Sequence, residues 1–142
     1  MVDQKKLAYY FNEYLQTTSE DWNYITPQQL YQLLYSEDRL PEKPCYLLDV
    51  RKKKDYLNQH IPGSVNIFWL DLFKEKNLEK LPKDCLIVLI CYLGHTASQV
   101  LTLLKLLGYQ VVVLKFGLGL TPISGIPIAG WHQYGYPLEH HH

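Results

Sequence analysis

The sequence has few cysteines, no long apolar run and no excess of charge of either sign. Its three cysteines, Cys45, Cys85 and Cys91, are an odd number, which does not suit a framework of disulfides. No Cys-x-x-Cys pair or histidine-rich cluster has the spacing of a metal site, so we expect neither a metal nor a cofactor. No stretch approaches the roughly 18 apolar residues of a membrane-spanning helix.

The charges also exclude one class of partner. The 142 residues include 14 Lys and Arg and 14 Asp and Glu, so the formal net charge is zero. Without a basic patch, nucleic acid is not an expected partner. No signal peptide is visible, and we expect a cytoplasmic protein; a cell-envelope or secreted protein is the alternative if a signal was removed.

The length and the apolar pattern predict one folded domain with an addition at its start. Residues 1–25 are predicted as a helical extension, because apolar residues recur at spacings of three and four between Asp3 and Leu15. This Tyr-rich helix is expected to pack against the body of the domain. The domain is assigned to residues 26–137. Residues 138–142, Leu-Glu-His-His-His, are interpreted as a purification-tag remnant and are left out of the chemistry.

Within 26–137, apolar strand patterns alternate with helical ones. A helix is predicted to start at Thr26, with Pro27 in its first turn and Gln29 completing a capping box. The predicted strands are Cys45–Val50, Val65–Ile67, Leu86–Ile90 and Val111–Leu114, and the further helices are Lys52–Gln59, Trp69–Leu78 and Val100–Leu107. The alternation predicts an α/β fold with a mainly parallel sheet.

Cys91 follows the most apolar of these strands and precedes a short loop containing Gly94. Open α/β sheets bind ligands at the carboxyl ends of their strands, and a helix N-terminus there favours an anion, including a thiolate. Two interpretations remain: an inert core cysteine or a nucleophile. The adjoining loop favours the nucleophile for Cys91, whereas Cys45 and Cys85 lack such a setting and are interpreted as inert.

Two motifs in order carry a resemblance to a family. They are Asp49-Val50-Arg51 with Asp55-Tyr56 and His60-Ile61-Pro62-Gly63-Ser64-Val65-Asn66-Ile67, and then Cys91-Tyr92-Leu93-Gly94-His95-Thr96 after an apolar strand. From about Thr26 to Pro137 the chain resembles the single-domain rhodanese-like sulfurtransferases. The resemblance implies a three-layer α/β fold with a mainly parallel central sheet flanked by helices. It also implies that Cys91 takes sulfane sulfur from thiosulfate or a persulfide, holds it as a persulfide and passes it to a thiophilic acceptor.

The resemblance further assigns the loop that holds the sulfur. The expected substrate-binding residues are Tyr92, Leu93, Gly94, His95 and Thr96, through their backbone amides and side chains. The commonest loop of the family reads Cys-x-x-Gly-x-Arg-Ser, and here Thr96 replaces the arginine. Because no cation remains in the loop, we expect an uncharged or protein-borne persulfide donor, with a thiol as acceptor, rather than thiosulfate.

The residue after Thr96 excludes a rival chemistry. Cysteine phosphatases need an arginine at that position to bind phosphate with two hydrogen bonds, and the residue is Ala97. Asp49, Arg51 and His60 are expected to support the fold around the site, and Arg51 could also close its floor.

Three interpretations remain open at this level. His95 is either a proton donor or a solvated side chain next to the helix start. The apolar stretch Phe116–Gly130 is either a tail over the sheet edge or a hydrophobic wall beside the Cys91 loop. The alternatives to a sulfurtransferase are a non-catalytic binding module and a thiol-based redox sensor.

Overall fold

The computed structural model describes residues 2–18, 22–36, 45–119 and 129–140. Five helices, five strands and two short 3-10 turns are found in these ranges. In chain order they are α1 (Gln4–Gln16), β1 (Tyr24–Ile25), α2 (Pro27–Tyr35), β2 (Cys45–Asp49), α3 (Lys53–Asn58), β3 (Val65–Asn66), a 3-10 turn (Trp69–Asp71), α4 (Glu75–Leu78), β4 (Leu86–Ile90), α5 (His95–Leu106), β5 (Val111–Leu114) and a second 3-10 turn (His132–Tyr134). The predicted alternation of strands and helices is confirmed.

The five strands form one parallel sheet in the order β1-β5-β4-β2-β3. The central strand β4 pairs with β2 along its whole length, from Cys45 opposite Leu86 to Asp49 opposite Ile90. On its other side it pairs with β5. A central parallel strand is covered on both faces, which explains its unbroken run of apolar residues.

Two apolar clusters cover the two faces of the sheet and make the fold three-layered. Successive side chains of a strand point to opposite faces, so Ile87 and Leu89 join one cluster while Val88 and Ile90 join the other. The first cluster is completed by α5, and the second by α2 and the buried Trp131. The predicted fold class is therefore confirmed.

The start of α2 follows the predicted capping pattern. The Thr26 hydroxyl accepts a hydrogen bond from the Gln29 amide at 3.1 Å, and the Gln29 side chain accepts one from the Thr26 amide at 2.9 Å. Pro27 occupies the first turn, where no amide donor is needed. This pairing satisfies two otherwise unpaired amides and fixes the residue at which the helix begins.

Two local predictions differ from the structure. The single helix predicted over Trp69–Leu78 is wrong, because the backbone of Lys74 is extended and separates the 3-10 turn from α4. The Asn77 side chain also donates to the Asp71 carbonyl and caps the turn. Strand β1 was not predicted, since two residues carry no usable periodicity; its pairing with the edge of β5 makes it a strand.

The predicted N-terminal helix is found as α1. Asp3 caps it, and none of its residues is buried. The helix makes contact through two tyrosine hydroxyls: that of Tyr10 donates to the Leu106 carbonyl at 2.6 Å, and that of Tyr14 accepts from the Asn23 side-chain amide at 3.5 Å. The helix therefore lies against the domain through polar contacts, without burying an apolar stripe. None of the helices in the described ranges is both long enough and apolar enough to cross a membrane.

Candidate functional site

Cys91 directly follows β4, at the carboxyl edge of the sheet. Its side chain is 1% exposed. Gly94 has a φ of +103°, which a residue with a side chain rarely adopts, and this turn aims its amide back at the cysteine. The Gly94 amide donates to the Cys91 Sγ at 2.9 Å. The loop from strand to helix is therefore curled around the sulfur atom.

Two opposing effects act on the pKa of the Cys91 thiol. Burial is the larger effect and raises the pKa, because it disfavours the charged thiolate. Hydrogen bonds from the amides of Ala97, Gly94, Leu93 and Thr96 lower it. Since burial prevails, the resting side chain is a thiol surrounded by donors that favour an anion once one forms. Ala97 lies outside the predicted set of donors.

Tyr92 is held by its side chain on the outer side of the loop. Its hydroxyl donates a short hydrogen bond to the Asp55 carboxyl group. Its ring centroid lies 5.6 Å from the Arg51 guanidinium carbon. Burial and the bond to Asp55 raise the pKa of Tyr92 to about 12, so the hydroxyl stays a donor at physiological pH. The residue after the cysteine is thereby fixed to α3.

Below the loop, Asp49 and Arg51 form a buried ion pair. The Arg51 Nε lies 3.0 Å from Asp49 Oδ1, and its Nη2 lies 2.9 Å from Oδ2. The same Nη2 donates to the Gln59 carbonyl, and the Asn66 amide group donates to the carbonyls of both Asp49 and Arg51. The Arg51 guanidinium therefore stabilises the fold through these bonds, and it lies against the Tyr92 ring.

His60 contacts both Tyr56 of α3 and Glu139 near the end of the sequence. Its Nδ1 lies 2.7 Å from the Tyr56 carbonyl oxygen, and its ring stacks on Tyr56. Its Nε2 lies 3.0 Å from Glu139 Oε1, and the two residues also pair through their backbones. Glu139 thus contacts the domain although it falls in the segment assigned to a tag remnant.

A turn after β5 supports the Cys91 loop from the other side. The Leu118 amide donates to the Cys91 carbonyl and the Gly119 amide to the Tyr92 carbonyl, each at 3.0 Å. Gly117 directly precedes these two residues and has a φ of +56°. The start of the apolar stretch Phe116–Gly130 therefore contacts the loop, whereas residues 120–128 lie outside the described ranges.

A cleft of about 260 Å³ opens beside the loop. Its lining comprises one residue of β1, two of the loop, two of α5 and two that follow β5; they are Tyr24, Leu93, Gly94, His95, Ser98, Lys115 and Phe116. His95 is the first residue of α5 and is exposed in this cleft. The predicted residues Leu93, Gly94 and His95 are thus brought together here, whereas the Tyr92 side chain contacts α3.

Tyr24, Ser98 and Lys115 line the cleft but were not predicted, and Lys115 is the charged residue among them. It directly follows β5, which pairs with β4, and Cys91 directly follows β4. The carboxyl ends of neighbouring parallel strands meet at the edge where ligands bind. The position of Lys115 directly after a predicted strand could therefore have indicated that it lies near Cys91. No group of three or more His, Cys, Asp or Glu side chains with the geometry of a metal site occurs in the described part of the chain.

Comparisons with known proteins place this geometry in a family. Residues 26–119 match the rhodanese-like domain. The adenylyltransferase and sulfurtransferase uba4 of Ogataea parapolymorpha is 33% identical over 100 residues, which cover 66% of this chain and 25% of that protein. The chain thus spans about a quarter of that relative's length.

Solved structures share the fold. The crystal structure of a rhodanese-related protein from Thermoplasma volcanium has a TM-score of 0.64 and 24% identity, over 83% of this chain and 98% of its own. The solution structure of a rhodanese-like domain from Anabaena sp. has a TM-score of 0.66 and 24% identity, over 83% and 79%. The family match includes both the Asp49–Arg51 motif and the Cys91 loop. The chain therefore belongs to the family of rhodanese-like domains.

Proposed function

We propose that the protein is a sulfurtransferase that carries sulfane sulfur as a persulfide on Cys91. The observation that carries the proposal is the ring of amides around the Cys91 Sγ, with Gly94 at 2.9 Å. Amide donors in a buried loop stabilise an anionic terminal sulfur in the way that an oxyanion hole stabilises oxygen. The relative from Ogataea parapolymorpha, named as a sulfurtransferase, supports the same chemistry.

The reaction is a thiol exchange in two steps. In the first, the Cys91 sulfur attacks the outer sulfur of a persulfide R–S–SH; the donor's S–S bond breaks, a new S–S bond forms on Cys91, and R–SH leaves with the thiol proton. In the second, an acceptor thiol R′–SH attacks the outer sulfur of the Cys91 persulfide. Cys91 returns to the thiol and the product is R′–S–SH. The atoms and electrons of both steps balance without a metal or a redox cofactor.

The loop favours a persulfide donor over thiosulfate. The side chains of Tyr92, Leu93 and Thr96 carry no charge at neutral pH, and the Arg51 guanidinium is 2% exposed and paired with Asp49. Amide dipoles stabilise one negative charge on a sulfur atom, and no cation within the loop itself pairs with the second charge of thiosulfate. We therefore propose that a persulfide, small or borne on a protein, is the donor.

The environment of Cys91 disfavours a redox sensor. Sensor cysteines combine a low pKa with solvent exposure, because both speed attack by peroxide. Cys91 is 1% exposed, and burial raises the pKa of its thiol. A transferase binds its donor beside the cysteine, so the thiolate has to form only while the donor is bound.

Intact-mass measurement after incubation with a small alkyl persulfide, and separately with thiosulfate, tests the proposal. We expect the persulfide to add one sulfur atom that cyanide removes, and thiosulfate to add it more slowly. Cys91→Ser should abolish the gain. The matched control is Cys85→Ser, which removes a half-buried cysteine before β4 and should load normally.

Other outcomes distinguish the alternatives. If neither donor loads the protein while Cys91 stays reduced, the transferase proposal is wrong and a binding module is favoured. Oxygen adducts or mixed disulfides on Cys91, without any gain of sulfur, would support the sensor.

A further inference from the structure

We propose that the cleft between the Cys91 loop and the end of β5 binds the carboxylate of a small persulfide donor, with Lys115 as the residue that selects it. This inference rests on the proposed function and adds the chemical class of the donor. The donor's carboxylate would bind in the cleft, apart from the sulfur atom that is transferred.

The burial of Cys91 requires the rest of the donor to bind outside the loop. With its side chain 1% exposed, the cysteine can receive a sulfur atom only at the edge of the loop. The cleft adjoins the loop at Gly94, which lines the cleft and whose amide donates to the Cys91 Sγ. A donor with its sulfur at the loop can therefore place its body over Leu93 and Gly94.

The hydroxyl groups of the cleft are already used by the fold. Ser98 Oγ donates to the Gly94 carbonyl at 2.6 Å, so the Tyr24 hydroxyl donates to Ser98 Oγ at 2.9 Å. These two bonds fix the wall of the cleft and leave no hydroxyl hydrogen for a ligand. The polar groups that remain for recognition are the side chains of His95 and Lys115.

Lys115 supplies the positive charge that the loop lacks. Its backbone is fixed by its amide, which donates to the Ile25 carbonyl at 2.8 Å. Its ammonium lies 5.6 Å from the centroid of the Phe116 ring. Within the described ranges, no Asp or Glu carboxylate lies within ion-pair distance of it. Lys115 is exposed and lines the cleft, so its ammonium can pair with an anion bound there.

Charged side chains lie on both sides of the loop, and one of them lines the cleft. On the side of α3, the Asp55 carboxyl group accepts the hydrogen bond of Tyr92, and the exposed Lys53 and Lys54 belong to the same helix. On the opposite side, Lys115 lines the cleft with Leu93 and Phe116. Lys115 is the cation that lines the cleft itself, so it is the one that can pair with a carboxylate bound there.

The size and lining of the cleft limit the donor to a small molecule. A volume of about 260 Å³ lies below the range of roughly 300–1,000 Å³ of sites for drug-sized ligands. Leu93 and Phe116 offer apolar surface to a short carbon chain, and Lys115 offers a partner for one carboxylate. A persulfide of a cysteine-like thiol combines these features.

A matched pair of donors tests the inference: the persulfide of N-acetylcysteine and that of N-acetylcysteine amide, which differ only in the carboxylate. Loading of Cys91 is followed by intact mass. We expect the wild-type protein to load from the acid roughly 1.5- to fivefold faster than from the amide, the range for an exposed ion pair. Lys115→Gln should bring the ratio of the two rates to about one, and Lys115→Arg should keep the preference for the acid. Lys80→Gln, an exposed lysine after α4, is the charge-matched control.

Binding of an unreactive analogue separates this inference from the proposed function. S-methyl-N-acetylcysteine and its amide cannot transfer sulfur, so titration of backbone amide resonances reports binding alone. The acid should bind the wild-type protein more tightly than the amide does, with shifts at Gly94, His95 and Phe116 that weaken in Lys115→Gln. Equal binding of acid and amide would overturn the inference, even if both persulfides load Cys91. If the acid binds as expected but neither persulfide loads the protein, the proposed transfer fails and the carboxylate site stands.

Discussion

Gly117 lies so close to Cys91 that a Cβ atom added to it would be 2.3 Å from the Cys91 carbonyl oxygen. The contact belongs to the turn whose next two amides bind the carbonyls of Cys91 and Tyr92. The backbone of the Cys91 loop is thus held by the end of a different strand. The position of the sulfur therefore depends on a residue far from the loop in sequence.

Gly117→Ala should both destabilise the protein and slow loading of Cys91. The backbone strain at a φ of +56° costs about 1–2 kcal/mol, and the overlap with the Cys91 carbonyl adds to it. Urea unfolding and persulfide loading measure the two effects. Gly135→Ala is the control, because its φ is +71° with nothing within 4 Å of the added atom. Equal losses in both variants would show that the close approach is unimportant.

Arg51→Met should destabilise the fold strongly. The substitution leaves the buried Asp49 carboxylate without its partner, which typically costs about 3–5 kcal/mol. Urea unfolding gives the change in the free energy of unfolding. Lys53→Met removes an exposed cation from α3 and should change it by less than about 0.5 kcal/mol. A loss below about 1 kcal/mol in Arg51→Met would contradict the role given to the ion pair.

Tyr92→Phe should cost about 1–2 kcal/mol, because it removes a hydrogen bond to a carboxyl group at a half-buried position. In an Asp55→Ala background the same substitution should cost much less, since the partner is already gone. The two single variants and the double variant form a cycle that isolates the interaction. Additive losses would mean that the hydroxyl and the carboxyl group do not stabilise each other.

Alkylation of Cys91 should become faster with pH well beyond neutrality. Burial raises the pKa of the Cys91 thiol above its usual value of about 8.5, so the thiolate is the minor form at pH 7. The rate with iodoacetamide, followed on the Cys91 peptide, should rise about tenfold per pH unit and show no plateau below about pH 8.5. A plateau near pH 7 would instead indicate that the amide donors outweigh burial.

Contiguous patterns in the sequence predicted most of the fold and the centre of the site. Four strands, the start of α2 and the Cys91 loop each depend on neighbouring residues, and their periodicity or capping is visible locally. The two-residue β1 was not predicted because pairing with β5 creates it. Lys115 was missed for a related reason, since only the pairing of β4 with β5 brings the end of β5 beside the loop.

The burial of Cys91 could not be predicted from the sequence either. Amides of five residues were expected around the sulfur, from Tyr92 to Thr96, and three of these, Leu93, Gly94 and Thr96, donate to it together with Ala97. The loop pattern did not predict that the side chain is 1% exposed, which depends on the packing of the loop between α5 and the turn after β5. The balance between burial and hydrogen bonding therefore required the three-dimensional structure.

Locating the added sulfur after incubation with a small persulfide tests directly whether Cys91 carries the transferred sulfur. The protein is loaded, freed of donor, blocked with an alkylating agent and digested, and a second sample is first treated with an acceptor thiol. Because no Lys or Arg separates Cys85 from Cys91, fragmentation of the peptide tells the two cysteines apart. A Cys91 sulfurtransferase should show one added sulfur on Cys91, its loss in the second sample, and an equal amount of acceptor persulfide. Added sulfur on Cys45 or Cys85 alone, or on none of the three, would contradict the proposed function.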